Sequence, residues 1–225
     1  MKSILFFFAI CLTVVGYSQN NKIAPLLVRV MNNNKQPIAF DKIIFKGRTN
    51  KKTIIGVTGV NGAFNTSLPV GDIYDVEIDA IGEQLEYNSI EIPTIPGNAE
   101  YGVMELFILY DMPEVFTLSN LQFETGKSTI KSTSYASLNQ LAEFLIRKKT
   151  QKILIAGHTD NVGDPAANNM LSLDRAESVK KYLINKGVPI ELLKAKGYGD
   201  TKPIADNSEE AGRAINRRTE IHVVK

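Results

Sequence analysis

Tryptophan is absent from this 225-residue chain, cysteine occurs once and histidine twice. The lone Cys11 makes no intramolecular disulfide. With His158 and His222 as the only imidazoles, no metal site is expected. Neither sign of charge dominates. The 26 Lys+Arg and 24 Asp+Glu residues leave a net charge of +2, too balanced for a protein whose main task is coating nucleic acid. A membrane-spanning helix is also missing, because the longest apolar run, from Ile4 to Val15, has about a dozen residues where roughly 20 are needed. What is present is ordinary. A content of 44% hydrophobic and 22% charged residues excludes wholesale disorder and a collagen repeat, and the length allows one or two domains with a sizeable core.

Lys2 precedes that apolar run, and Gly16 and Ser18 follow it as a small-x-small cleavage site. This is the pattern of a secretory signal peptide, residues 1–18, with the cut expected after Ser18. Ile10 stands before Cys11, where a lipidation signal wants a small residue, so an ordinary signal is expected. The stretch from Gln19 to Met112 is too short for the eight strands of about 9–11 residues, plus loops, of the smallest membrane barrel. The mature chain is expected to be soluble or peripheral, with no transmembrane segment.

Two textures follow, which divide the mature chain at residues 19–112 and 113–225. The first has no sustained helical period. Short alternating runs such as Leu26–Val30, Ile43–Lys46, Ile54–Val57, Tyr74–Ile78 and Gly102–Leu109 are separated by turn residues. That spacing predicts an all-β antiparallel sandwich. Asn61-Gly62 supplies the positive φ of a tight hairpin, with Phe64 returning to the core. The second texture alternates periods. A strand over Val115–Phe123 leads to a helix over Ser134–Lys149, capped by Thr133 or Ser134. A strand over Lys152–Gly157, a helix over Ala166–Asn185 and strands over Leu193–Gly199 and Thr219–Val224 complete a β-α-β-α-β-β order. Such an α+β domain lays its helices on one mixed sheet.

In the first half, Gln36-Pro37-Ile38, Thr58-Gly59-Val60-Asn61-Gly62-Ala63-Phe64 and Leu68-Pro69-Val70-Gly71-Asp72 stand in order. Together they resemble the carboxypeptidase-regulatory-like or transthyretin-like sandwich modules of bacterial surface proteins. The family turn often reads Thr-Asp-x-x-Gly-x-Phe. Gly59 replaces that Asp, which removes a ligand an ion would need. The resemblance covers roughly residues 26–110 and implies a fold rather than an activity.

The second half carries Phe123-Glu124-Thr125-Gly126-Lys127, Gly157-His158-Thr159-Asp160-Asn161-Val162-Gly163, Asn168-x-x-Leu171-Ser172-x-x-Arg175-Ala176, Gly197-Tyr198-Gly199-Asp200 and Asn216-Arg217-Arg218. In this order they resemble the C-terminal domain of outer-membrane protein A, which also occurs in peptidoglycan-associated lipoproteins and flagellar-motor stators. The resemblance covers about residues 115–225. It implies non-covalent binding of peptidoglycan through the meso-diaminopimelate of the stem peptide. Asp160 and Arg175 would make the ligand salt bridges, and Asn168, Leu171 and the backbone around Thr125 and Gly126 would line the same pocket. Arg218 is expected at its border. Glu124 stands where the family commonly has Asp, so contacts there would come from the backbone.

The residue chemistry fits such a ligand. Diaminopimelate keeps a free ammonium and a free carboxylate at its far centre. A carboxylate host and a guanidinium host can grip that zwitterion from both sides, and Arg presents a planar fork matched to a carboxylate. From spacing alone, Asp160 reads equally as a turn residue. Arg175 reads equally as a solvated helix residue or as an internal salt-bridge partner of Asp160.

A catalytic reading finds no support. His158 has no nucleophile partner, since Ser172 lies on a helix without an elbow motif, and it reads as a strand-end His hydrogen-bonded in place. The two glycines of Gly197-Tyr198-Gly199 are too few for a phosphate cradle. No catalytic residue and no cofactor are expected.

Charge also separates the halves. Residues 19–112 hold 8 basic and 11 acidic residues, and residues 113–225 hold 17 and 13. A mildly basic half suits a cell-wall polymer that carries carboxylates.

The expected function is that of a non-catalytic cell-envelope protein. It would bind peptidoglycan and tether an outer-membrane or periplasmic partner, docked on the β-sandwich, to the wall. The expected location is periplasmic, at the cell wall and inner face of the outer membrane. An assembly scaffold without wall binding and a wall hydrolase are the alternatives.

Overall fold

The computed structural model describes residues 8–9, 23–80, 83–97, 99–118 and 120–224. The expected signal peptide, residues 1–18, lies outside the described residues apart from Phe8 and Ala9. Two compact units meet in sequence between Met112 and Pro113.

The first unit contains β1 (Phe8–Ala9), β2 (Ile23–Met31), β3 (Lys42–Gly47), β4 (Thr53–Val57), β5 (Ala63–Pro69), β6 (Asp72–Ala80), β7 (Glu83–Ile92) and β8 (Met104–Leu109). They form two sheets, ordered β1-β8-β2-β5 and β4-β3-β6-β7. Alternation along β2 buries Ala24, Leu26, Val28 and Val30 and leaves their neighbours half-buried, as a strand with one covered face requires. Leu26, Leu68, Leu106 and Ile108 of one sheet and Phe45, Tyr74, Val76 and Ile78 of the other share a single core.

Two expectations need correction here, the uniform antiparallel pairing and the hairpin at Asn61-Gly62, and two strands escape the sequence pattern. The pairing is not antiparallel throughout, because β2 and β8 run parallel with Leu26 opposite Met104. The chain reaches β8 from β7 in the other sheet, so no hairpin dictates its direction. Strands β5 and β7 lack a sequence signature because polar residues such as Asn65-Thr66-Ser67 and Asn88-Ser89 interrupt them. The Asn61-Gly62 turn does supply a positive φ, +70° at Gly62. However, it carries the chain from β4 in one sheet to β5 in the other and is not a hairpin between paired strands. A Cβ on Gly62 would lie 2.7 Å from the Val30 carbonyl oxygen, so the turn demands glycine on two counts.

The second unit contains β9 (Val115–Thr117), α1 (Tyr135–Lys148), β10 (Lys152–Gly157), α2 (Pro165–Asn185), β11 (Leu193–Gly197), α3 (Glu210–Asn216) and β12 (Thr219–Val224). The sheet order is β11-β10-β12-β9, with β10 and β11 parallel and the other pairs antiparallel. It is a mixed sheet, and α2 packs across β10 and β11 with α1 beside it. Leu138, Leu141, Phe144 and Leu145 of α1, Ala176, Val179 and Leu183 of α2, and Ile153 and Ile155 of β10 are fully buried. Their helical spacing is what produces the apolar stripes.

The sequence-based boundaries shift in three places. The first strand ends at Thr117, and Phe123 makes only an isolated antiparallel bridge to Ile130. Ser134 precedes α1 but gives it no side-chain cap. Its hydroxyl accepts from the Gln122 N–H at 2.8 Å, tying the preceding loop to the helix instead. Helix α3, at seven residues, is too short to show a period in the sequence.

Candidate functional site

Strand β10 sits centrally, so its C-terminal extension is held from both sides. The His158 N–H donates to the Arg218 carbonyl at 3.0 Å, and the Thr159 N–H to the Gly199 carbonyl at 2.9 Å. Asp160 emerges next. Its Oδ1 accepts from the Val162 N–H at 3.1 Å, closing a tight local turn, and the residue is only 8% exposed.

Helix α2 then begins. The Asp164 side chain caps it by accepting from the Ala167 N–H at 2.8 Å, and Pro165 occupies the first turn, where its missing N–H costs nothing. Asn168 is buried in that turn. Its amide donates to the Val162 carbonyl at 3.0 Å and to the Asp160 carbonyl at 3.4 Å, so it ties the Asp160 turn to the helix. Leu171 and Arg175 follow at three and seven residues, which puts all three side chains on one helix face.

The depth of α2 is set by the sheet beneath it. A Cβ added to Gly157 would lie 2.1 Å from the Ser172 carbonyl oxygen, and one added to Gly197 would lie 2.5 Å from the Leu173 nitrogen. Ser172 is fully buried. Its hydroxyl accepts from the Gly199 N–H at 2.9 Å and donates to the Asn169 carbonyl at 2.8 Å. Arg175 is therefore carried on a helix seated directly against strand ends.

Arg175 reaches over the Phe123–Ile130 loop. Its guanidinium carbon lies 5.1 Å from the centroid of the Phe123 ring, and its Nε donates to the Lys127 carbonyl at 3.1 Å. Among the described residues its Nη1 and Nη2 make no hydrogen bond or ion pair. Burial pushes its pKa down, the like charge of Arg217 adds to that, and Asp160 opposes both. Thr125 and Gly126 are exposed at the tip of the same loop, where Gly126 has φ +67°.

Arg218 is not at this site. Its side chain is 6% exposed, and its Nε donates to Glu220 Oε1 at 2.7 Å. Arg217 takes the border position instead: at φ −73°, ψ 75° it is the centre of a tight turn after α3, closed by the Arg218 N–H donating to the Asn216 carbonyl at 2.9 Å. Arg217 Nη1 lies 2.7 Å from Asp160 Oδ2, and Nη2 lies 2.6 Å from Glu210 Oε1. Both carboxylates raise the Arg217 pKa. Fully buried Asn216 holds the neighbouring loop. Its Oδ1 accepts from the Ile204 and Ala205 N–H groups at 2.8 and 3.0 Å, while its Nδ2 donates to the Ala205 carbonyl and Asn207 Oδ1 at 2.9 Å.

The candidate site is thus Asp160, Arg175 and Arg217, supported by Asn168 and Glu210. It rests on β10, α2, α3 and the Phe123–Ile130 loop. The family model of the OmpA family matches residues 122–217, a range that contains every one of these residues. Residues 122–217 form an OmpA family domain. This chain is 42% identical over 104 residues to outer membrane porin F of Pseudomonas fluorescens, covering 46% of its own length and 32% of the porin's. It is 38% identical over 103 residues to the peptidoglycan-associated lipoprotein of Buchnera aphidicola, covering 46% and 60% respectively. The chain thus spans about a third of the porin and under two thirds of the lipoprotein. The crystal structure of the peptidoglycan-associated lipoprotein from Burkholderia pseudomallei aligns at 32% identity with a TM-score of 0.44, over 46% of this chain and 88% of that one.

His158 lies beneath the site and departs from the hydrogen-bonded role expected of it. It is 3% exposed and stacks on Tyr198 with centroids 5.3 Å apart; its Nε2 lies 3.5 Å from Glu220 Oε2, and neither ring nitrogen makes a well-formed hydrogen bond. Burial, and secondarily Arg218, push its pKa down to about 4. The folded chain therefore keeps His158 neutral while the unfolded chain protonates it below about 6.5. Its stabilising share is complete above pH 6.5 and is lost as pH falls toward 4, a loss on the order of 3 kcal/mol. Denaturant unfolding of wild type and His158→Phe at pH 7 and pH 4.5 checks this. The variant is expected to lose less stability on acidification than wild type, and equal losses would contradict it.

Proposed function

We propose that the OmpA family domain binds peptidoglycan non-covalently, by gripping the free zwitterionic centre of meso-diaminopimelate in the stem peptide. In this reading Arg175 receives the ligand carboxylate and Asp160 the ligand ammonium. Asn168, Leu171 and the loop at Thr125 and Gly126 line the approach.

The observation that carries the reading is the state of Arg175. Its aromatic support and its Nε–carbonyl bond fix the plane of the guanidinium, and the Nη edge is left for a ligand. A preorganised fork matches a carboxylate in two parallel hydrogen bonds. The match to the OmpA family and the likeness to a peptidoglycan-associated lipoprotein support the same conclusion.

The rest of the chain fits a tether. Residues 1–18 act as the export signal. Residues 19–112 form a β-sandwich module of the carboxypeptidase-regulatory-like or transthyretin-like kind, which docks an outer-membrane or periplasmic protein. Residues 113–225 hold the wall from the periplasmic side.

Co-sedimentation with purified sacculi tests the reading. Wild type is expected to pellet with diaminopimelate-type peptidoglycan and to be released by free meso-diaminopimelate. It is expected to pellet far less with lysine-type peptidoglycan, which lacks the second carboxylate. If wild type stays in the supernatant with both polymers, wall binding falls and an assembly scaffold replaces it.

A further inference from the structure

In the folded chain, the Asp160 carboxylate is already engaged by the protein's own groups. One guanidinium, that of Arg217, bridges Asp160 Oδ2 at 2.7 Å and Glu210 Oε1 at 2.6 Å. The other oxygen of Asp160 receives the Val162 N–H. Glu210 has a second cation, because Arg213 Nε donates to its Oε2 at 3.0 Å and Arg213 Nη2 lies 2.9 Å from the same oxygen. Arg217 can therefore leave Asp160 and keep a carboxylate partner.

The charge balance at the site decides what can replace it. Asp160, Glu210, Arg175, Arg213 and Arg217, two carboxylates and three guanidiniums, together carry one net positive charge. A ligand offering only an ammonium would swap one ion pair for another at Asp160 while adding a cation beside two guanidiniums. Like charges in such a cluster repel, and the exchange gains nothing to offset that. A ligand with a carboxylate beside its ammonium is different. The ammonium takes the place of Arg217 on Asp160, and the carboxylate neutralises the guanidiniums that remain.

We propose that Arg217 is the resident counter-ion of Asp160, which the ligand ammonium replaces, and that this exchange restricts the site to ligands carrying a carboxylate next to the ammonium. The inference rests on the reading of Asp160 and Arg175 as the ligand pair. It makes Arg217 a specificity-determining residue that acts through Asp160. It also extends to amidation, since a diaminopimelate centre whose carboxylate is a carboxamide binds poorly.

Calorimetric titration of the full chain tests it with two probes, meso-diaminopimelate and 1,5-diaminopentane. Wild type is expected to bind the first and to prefer it over the diamine by at least about 30-fold, the size of one desolvated charge pair. Arg217→Gln removes the competing charge but keeps a side chain able to donate to Asp160. It is expected to bind the diamine about 10-fold tighter than wild type does, so that the preference shrinks. Arg217→Lys restores the charge and is expected to restore the preference. Glu210→Gln changes a well-exposed side chain and leaves Arg217 with Asp160 as its only carboxylate; it is expected to widen the preference.

A preference unchanged in both Arg217→Gln and Glu210→Gln would overturn the role of Arg217 while leaving the Asp160–Arg175 reading intact. A wild type that binds both probes equally would overturn both readings, since the ligand carboxylate would then gain nothing from Arg175. Binding of neither probe by wild type would overturn both readings. Because Glu210→Gln shifts the preference opposite to Arg217→Gln, a mere loss of folding cannot imitate the pattern.

Discussion

Arg175→Ala is expected to lower the affinity of the full chain for a diaminopimelate muropeptide by about 30-fold to several thousand-fold, the cost of removing one partner of a desolvated charge pair. The magnitude follows from how Arg175 is held. Its Nε bond to the Lys127 carbonyl and its face on Phe123 leave little orientation to be ordered on binding. Arg175→Lys keeps the charge but loses the fork and the stacking, so it should recover only part of the loss. Asp160→Asn should lose affinity to a similar degree, since it removes the charge that the ammonium needs. Titration calorimetry measures all three, with thermal unfolding as a check on folding. Wild-type affinity in folded Arg175→Ala would remove the residue from the site.

Gly157→Ala is expected to destabilise the second unit by about 3 kcal/mol or more, at the upper end of the usual cost of overpacking. The added Cβ would lie 2.1 Å from the Ser172 carbonyl oxygen, which is helix backbone and cannot rotate away. Helix α2 would have to lift off β10, breaking the Ser172–Gly199 hydrogen bond and displacing Arg175. For a unit of this size, the corresponding fall in melting temperature is about 10 °C or more. Gly126→Ala is the contrast. A Cβ there meets nothing within 4 Å, so only the positive φ opposes it, at about 1–2 kcal/mol. Calorimetric melting of the two variants separates close packing from backbone strain, and equal melting temperatures would refute the packing account.

The sequence exposes some of this and hides the rest for identifiable reasons. Strands β2, β3, β6 and β10 and helices α1 and α2 carry apolar residues at the period of their own geometry, so they are legible without tertiary information. Strands β5 and β7 take their stability from pairing and from a few inward residues such as Leu68, Ile90 and Ile92, and their polar positions mask the alternation. Asp160, Asn168 and Arg175 stand out because a strand end and a helix face lie within sixteen residues. Arg217 is different. Its contact with Asp160 spans 57 positions, and the choice between Arg217 and Arg218 depends on which way one residue of a short connector faces. The partly buried Glu220 that pairs with Arg218 settles that choice, and no local pattern announces it.

The central place of β10 has a mechanical side. Asp160 lies three residues beyond a strand paired in parallel with β11 and antiparallel with β12, and the bonds at His158 and Thr159 continue both ladders almost to Asp160 itself. A pull on Asp160 along the strand would load these hydrogen bonds together, in shear. They would resist as a group, whereas the three-residue edge strand β9, paired only with β12, would open bond by bond like a zip. Of the strands in this sheet, the carboxylate is attached to the one best able to bear a load.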